Sequence, residues 1–204
     1  MDPELAAFLD SRKADFGDTI VWANGDIRLN LKGYFDLQSP PDRFVLAGRA
    51  IVARGSEVLV VETPHGNHIL PGGRREDGET TVAAIQREVL EETGWVIDSL
   101  RPFAVLHLQY QTPMPQNVGR VIYPDFIWHV FTAEASEYCE ERQLRDESEV
   151  VLATCFKPIE EALGAQLDPF QHDLLDALTR RLWRRSHLTV QPTIGAQWFA
   201  SMVR

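Results

Sequence analysis

Residues 72–95 read GGRREDGETTVAAIQREVLEETGW, the stretch on which the reading of the whole chain turns. Thr80 is suited to cap a helix, since its hydroxyl can accept from a free N–H of the first turn. From there Val82, Ile85 and Val89 recur at helical spacing and predict an apolar face that anchors the helix in a core. Gly94 is placed to end it, because glycine takes the left-handed conformation without strain. Glu88, Glu91 and Glu92 fall at i, i+3 and i+4, so their carboxylates share one narrow face. Like charges so placed repel, and no lysine between Arg74 and Gly94 dilutes them. A cluster of carboxylate oxygens is what a hard divalent cation such as Mg²⁺ requires. An isolated ExxEE is more commonly a solvated acidic face, so the residues around it decide.

Gly73, Glu79, Arg87, Glu88, Glu91, Glu92 and Gly94 stand in the spacing G-x5-E-x7-R-E-U-x-E-E-x-G-U, where U is an aliphatic position. Fixed residue types at roughly one in fifteen each coincide in this way by chance about once in 10⁸ starting positions. The pattern resembles the signature box of the Nudix hydrolases. Val89 fills the first aliphatic position, and Trp95 the last, where the family prefers Ile, Leu or Val. The resemblance implies an α/β fold of the α+β type, an α/β/α sandwich around a mixed β-sheet, with the box forming a loop–helix–loop. It implies that Glu88, Glu91 and Glu92 coordinate Mg²⁺ or Mn²⁺, and that the Gly72 carbonyl completes part of the shell. Arg87 would pair with Glu79 and hold the helix against the loop.

The implied activity is hydrolysis of a nucleoside diphosphate linked to another moiety. Metal ions neutralise the pyrophosphate and lower the pKa of bound water, while a carboxylate accepts its proton. Both a box glutamate and a later one serve as that base within the family. Outside the box Glu149, ahead of the VVLATCF strand, resembles the family's late loop glutamate, and Glu147 is its competitor in a segment charged throughout.

Composition sets the outer limits. The chain has 204 residues, 44% hydrophobic and 25% charged, which suits a full domain with an added segment and speaks against disorder. Twenty Lys+Arg against thirty Asp+Glu give a net charge of −10, which disfavours an extended nucleic-acid surface or an anionic membrane. The box alone carries six acids against three arginines, so bound metal would reverse the local sign and admit a small phosphorylated substrate. Cys139 and Cys155 are too few for a disulfide framework or a Cys-rich zinc site. No run approaches the roughly 20 apolar residues of a membrane helix. The start, MDPELAAFLDSRKADF, has acids where a secretory signal has basic residues, so a cytoplasmic protein is expected.

Working outward from the box, residues 1–43 are expected to form an N-terminal helix and hairpin appendage, 44–186 the hydrolase domain, and 187–204 a tail. Asp2-Pro3 predicts a helix start, running to Arg12 or Lys13. Asn24-Gly25 predicts a hairpin between strands around residues 20–23 and 27–31. Gly55-Ser56 predicts a second hairpin joining RFVLAGRAIVAR to EVLVVET, and a short strand is expected at His68–Leu70. Further strands are predicted at 103–110, 123–132 and 150–156. Pro158 is expected to open a short helix, and Asp168-Pro169 a longer one with Leu174, Leu175, Leu178 and Leu182 as its stripe. The arginines at 180, 181, 184 and 185 complement the dipole at its end.

The substrate is bounded less tightly. His68, just ahead of LPGG, is expected to border the substrate pocket. Tyr110, in the window where family subgroups differ, is the second candidate for substrate binding. ADP-ribose, a nucleotide sugar or a dinucleotide is favoured, as a small-molecule partner. The hairpin also resembles, in position, the β segment through which related sugar-nucleotide hydrolases build a dimer; capping of the sheet edge is the equal alternative. Trp22, Trp128, Trp183 and Trp198 are expected in the core or at edges. A nucleotide-sensing Nudix domain without turnover is the reading from another class; the intact box and the Asn-Gly hairpin count against it. A nucleoside triphosphate hydrolase, or one acting on a non-nucleotide diphosphate, is a third reading on the same fold.

Overall fold

The computed structural model describes residues 1–9, 12–22, 25–35, 39–114, 122–143 and 151–188, the last seven of these by backbone only. In chain order the elements are α1 (Pro3–Leu9), β1 (Phe16–Trp22), β2 (Ile27–Phe35), β3 (Val45–Arg54), β4 (Glu57–Thr63), β5 (Gly66–His68), α2 (Thr81–Thr93), β6 (Trp95–Tyr110), β7 (Asp125–Tyr138), β8 (Ala153–Pro158), α3 (Ile159–Leu163) and α4 (Pro169–Leu188). The strands form one mixed sheet in the order β1-β2-β6-β7-β3-β4-β5, with β8 on β4. Only β3 and β7 run parallel.

Apolar side chains from both faces of the sheet are buried, which is why helices cover both. On one face α1 inserts Leu5 and Leu9 against Tyr34, Val105 and Ile127, and α2 inserts Ile85 and Val89 against Ala50, Val52 and Leu59. On the other face Ile51, Val58, Val60 and Leu106 pack against Leu174, Leu175 and Leu178 of α4. Each fully buried aliphatic side chain contributes about 1.5–3 kcal/mol. This is the expected α/β/α sandwich.

The N-terminal segment is built into that sandwich. The β1–β2 hairpin forms, and seven residues of β2 pair with β6. Gly25 has φ +107°, the conformation that favours glycine at such a turn; Asn24 lies outside the described residues. Asp2 caps α1 through the Glu4 N–H. The helix stops at Leu9, short of the expected Arg12 or Lys13, and the Arg12 N–H folds back onto the Leu9 carbonyl.

A turn at Gly55-Ser56 joins β3 to β4 as expected, but those strands pair only at Ala53–Val58 and Arg54–Glu57 before they part. β3 follows β7 while β4 follows β8. Their divergence leaves edge N–H groups on β3, and a buried N–H needs an acceptor. Pro71 and Gly73 supply it: Ala50 N–H donates to the Pro71 carbonyl and Gly48 N–H to the Gly73 carbonyl, each at 3.0 Å. The expected strand at His68–Leu70 accordingly lies earlier, at Gly66–His68 on β4, because residues 69–73 leave β4 to fill this gap. No described helix is long and apolar enough to cross a membrane.

Candidate active site

The gap filled by residues 71–73 lies against α2. Thr80 caps that helix by accepting from the Ala83 N–H at 3.1 Å, and Gly94 closes it at φ +75°. The cap contributes about 1 kcal/mol. Ala84, Ile85, Val89 and Thr93 form the buried stripe. Val82 does not join it, contrary to the expectation, and is 39% exposed. Helical phase does not separate it, since at 100° per residue it lies within about 60° of Ile85 and Val89; it stands in the first turn, at the end of the helix that begins at Thr81. Glycine at 48 is what lets the helix approach, since a Cβ there would lie 2.6 Å from Ile85 Cγ1.

The box residues meet around a single guanidinium. Arg87 Nε and Nη2 each donate to Glu79 at 3.0 Å, while Nη1 donates to Glu88 at 2.9 Å and to Glu91 at 3.2 Å. Its Nη2 also reaches the Arg74 carbonyl. The expected Arg87–Glu79 pair is present, and the same arginine gathers two further carboxylates that the spacing alone leaves to repel. These hydrogen bonds, with Glu79 the strongest partner, hold the Arg87 pKa above its ordinary value and the Glu79 carboxyl below its own. Burial pushes the Glu88 carboxyl upward, partly offset by Arg87.

Glu92 points along the helix toward the loop and accepts from the Gly72 N–H at 2.9 Å. Gly72 has φ +129°, and a Cβ on it would lie 2.5 Å from the Gly48 carbonyl oxygen, so this position admits only glycine. With the Pro71 and Gly73 carbonyls both engaged by β3, the Gly72 carbonyl between them is not held by that strand. Gly73 packs directly on the Glu88 carboxylate. Arg87 gathers Glu88 and Glu91 while the Gly72 N–H takes Glu92, and no three acids or histidines among the described residues are gathered closely enough to hold a metal.

The other candidates take separate places. His68 is half-buried at the end of β5, its pKa lowered to about 4 by burial and by the nearby Arg49, so it is neutral at pH 7. Tyr110 is only 9% exposed; its ring lies 5.3 Å from that of Tyr123 and 5.6 Å from that of Phe126. Glu147 and Glu149 lie outside the described residues. Gln143, the last described residue ahead of them, donates to the Glu92 carbonyl of α2 at 2.9 Å. Trp95 fits its aliphatic position because aromatic neighbours surround it, with Tyr138 and Phe156 both at 5.1 Å. The sequence reading passed over Arg49 on β3, although a lone arginine inside FVLAGRAIVA was the available signal.

The chain is thus an α/β/α sandwich opened between β3 and β4, with a glutamate-bearing helix facing the opening. The chain belongs to the Nudix family: the model of the NUDIX domain matches residues 44–178. It is a Nudix-type hydrolase acting on phosphoric anhydride bonds. Among solved structures it resembles a variant of the Bacillus subtilis pyrophosphohydrolase BsRppH, with 16% identity, a TM-score of 0.56, and coverage of 81% of this chain and 98% of that one. It also resembles a NUDIX hydrolase from Nitrosomonas europaea, with 22% identity, a TM-score of 0.50, and coverage of 66% and 88%. No curated protein matches the chain.

Proposed function

We propose that this protein is a Mg²⁺-dependent pyrophosphohydrolase that cleaves a nucleoside diphosphate linked to another moiety, of the ADP-ribose, nucleotide-sugar or dinucleotide type. The observation that carries the reading is the convergence of Glu88 and Glu91 on one atom of Arg87, beside a Gly72 segment tied to Glu92. The donor set is entirely hard oxygen, which suits Mg²⁺ or Mn²⁺ and not a softer metal. Glu88 adds a second sign of fit: burial disfavours its charged form, and a bound cation offsets that cost.

Glu88, Glu91, Glu92 and the Gly72 carbonyl would hold the cation. When bound, it neutralises the diphosphate and makes water more acidic. Arg87 and Glu79 set the rotation of the helix relative to the loop, so that the carboxylates stay aimed at the cleft. Proton removal from the attacking water falls to a carboxylate, either in the box or at Glu149 or Glu147. His68, neutral at pH 7, adds no second charge to the wall and can donate or accept a hydrogen bond there. A homodimer through the β1–β2 hairpin belongs to the same proposal, since the outer edge of β1 pairs with no other described strand.

The test is hydrolysis of a substrate panel in Mg²⁺ by the protein and by its Glu92→Gln variant. Release of a nucleoside monophosphate, falling at least about a hundredfold in the variant, is the expected result. Full activity in Glu92→Gln would remove the box from the chemistry.

A further inference from the structure

Beside the Leu70–Gly73 segment stands a cation that the box does not account for. Arg49 is half-buried on β3 and makes no ion pair among the described residues, whereas Arg87 holds three carboxylates and Arg75 holds Asp42. Its Nη1 donates to the Leu70 carbonyl at 3.2 Å, and its Nε is buried with no partner. Arg75 also keeps an unpartnered Nε, but its terminal nitrogens are neutralised by Asp42. A partly desolvated guanidinium without a counter-ion is unfavourable for the folded state, and a native protein keeps one where an anion arrives. The position is specific. The Leu70 carbonyl leads into Pro71–Gly73, and the guanidinium lies close enough to His68 and Glu88 to act on both electrostatically.

On its other side Arg49 meets an aromatic stack. The guanidinium carbon lies 5.2 Å from the Trp128 ring centroid, and Trp128 stacks on Trp22 at 5.6 Å and 23°. Trp22 ends β1 and Trp128 lies in β7, with β2 and β6 between them. Three strand spacings, about 14 Å, separate those strands. The indoles meet because the sheet curls, so they line its concave side. Both are half-buried, offering apolar π surface beside the Arg49 guanidinium.

We propose that Arg49 clamps the substrate's diphosphate from the side opposite the box glutamates, and that the Trp22–Trp128 stack beside it seats the base of the nucleoside. This rests on the diphosphate reading and adds what selects a nucleoside over other groups. A guanidinium matches phosphate oxygens as a planar fork, and indoles stack on any base. The carboxylate face repels phosphate until metal is present; Arg49 attracts it at all times.

Two ligands separate the parts: α,β-methylene-ADP, whose bridging carbon blocks cleavage, and methylene bisphosphonate, the same anion without base or ribose. Binding of each to the full chain in Mg²⁺ is measured by calorimetry for wild type, Arg49→Gln and Trp128→Leu. Arg49→Gln is expected to weaken both ligands about 10- to 100-fold. Trp128→Leu is expected to weaken only the nucleotide, about tenfold. In turnover, Arg49→Gln raises KM by a similar factor and leaves kcat within about threefold. It also melts at or above the wild-type temperature, because an unpaired cation has been removed. Lower melting or failure to fold would mark Arg49 as a structural cation and overturn the proposal. Equal loss of both ligands in Trp128→Leu would overturn the base platform. Unchanged binding in Arg49→Gln by a protein that still hydrolyses nucleoside diphosphates would sink the clamp and spare the hydrolase. Arg49-dependent binding without hydrolysis of any diphosphate would do the reverse.

Discussion

Gly73→Ala isolates the placement of one carboxylate from the stability of the fold. A Cβ at Gly73 would lie 2.3 Å from Glu88 Cδ and 2.4 and 2.5 Å from its two carboxylate oxygens. Unstrained carbon contacts are about 3.5–4.0 Å, so the Glu88 carboxylate must withdraw by about 1 Å or more. Unlike Gly72, Gly73 does not have a left-handed φ, and the backbone accepts alanine without strain. The cost is confined to the side chain: about 0.5–1.5 kcal/mol for an off-rotamer Glu88. Loss of its bond to Arg87 adds about 0.2–1 kcal/mol. For a chain of this size the sum lowers Tm by only about 1–10 °C. A 1 Å error in a catalytic group, however, lowers turnover about a hundredfold. The assay pairs a thermal melt with kcat/KM for diphosphate hydrolysis in saturating Mg²⁺. Gly72→Ala is the control in which fold and activity go together, since its Cβ meets backbone at 2.5 Å. Activity within about threefold of wild type in a folded Gly73→Ala protein would show that Glu88 need not stand where the structure puts it.

Glu79 and His129 give three further outcomes. Glu79→Gln removes the carboxylate that takes both Arg87 Nε and Nη2, and the Mg²⁺ concentration for half-maximal activity should rise about 10- to 100-fold, as for other outer supports of a metal site; an unchanged Mg²⁺ requirement would refute the supporting role. Because the folded carboxyl is held below its ordinary value of 4.5, chiefly by Arg87, it stabilises above that pH and loses this as pH falls further, so Glu79→Gln should flatten the acid limb of a stability–pH curve. His129 is 7% exposed, its Nε2 has no partner, and burial lowers its pKa to about 4. Its folded value lies below the unfolded one, so stability is present above 6.5 and lost as pH falls from there to about 4, on the order of 3 kcal/mol. His129→Phe, beside Phe131, should lose that share of the pH dependence in urea melts between pH 4 and 7, His68 retaining its own; identical curves for the two proteins would refute the assignment.

Local chemistry was legible in the sequence wherever it depends on spacing along one element. The cap at Thr80, the stop at Gly94, the shared face of Glu88, Glu91 and Glu92, and the Arg87–Glu79 pair all follow from helical geometry and residue type. What the spacing could not show is anything decided by pairing at a distance. Val82 has the right residue type and the right phase, yet it lies in the first turn of α2 and stays exposed, while Ile85, three residues on, is the side chain packed over Gly48. His68–Leu70 reads as a strand from its apolar residues, but β4 releases residues 69–73 to satisfy Gly48 and Ala50 on β3. Trp95 looks like a departure until Tyr138 and Phe156, over 40 residues away, supply its surroundings.

The electrostatics of the site show why these non-local facts matter for function. By sequence, three glutamates on one face need a cation from outside. In the folded chain Arg87 already supplies a partial answer, gathering Glu88 and Glu91 and leaving Glu92 to the loop. The three carboxylates are held by only a single guanidinium and one N–H, and in the proposed enzyme a divalent ion would take them over. In the proposed clamp Arg49, on β3 where that strand has parted from β4, is the counterpart of the box glutamates. The same divergence admits Gly72 to the glutamates and places an unpaired guanidinium below it. Closing that gap, by extending the β3–β4 pairing, would remove the backbone positions for both at once. The opening between two strands, more than any single residue of the box, is therefore what turns an acidic helix into a site for a polyanion.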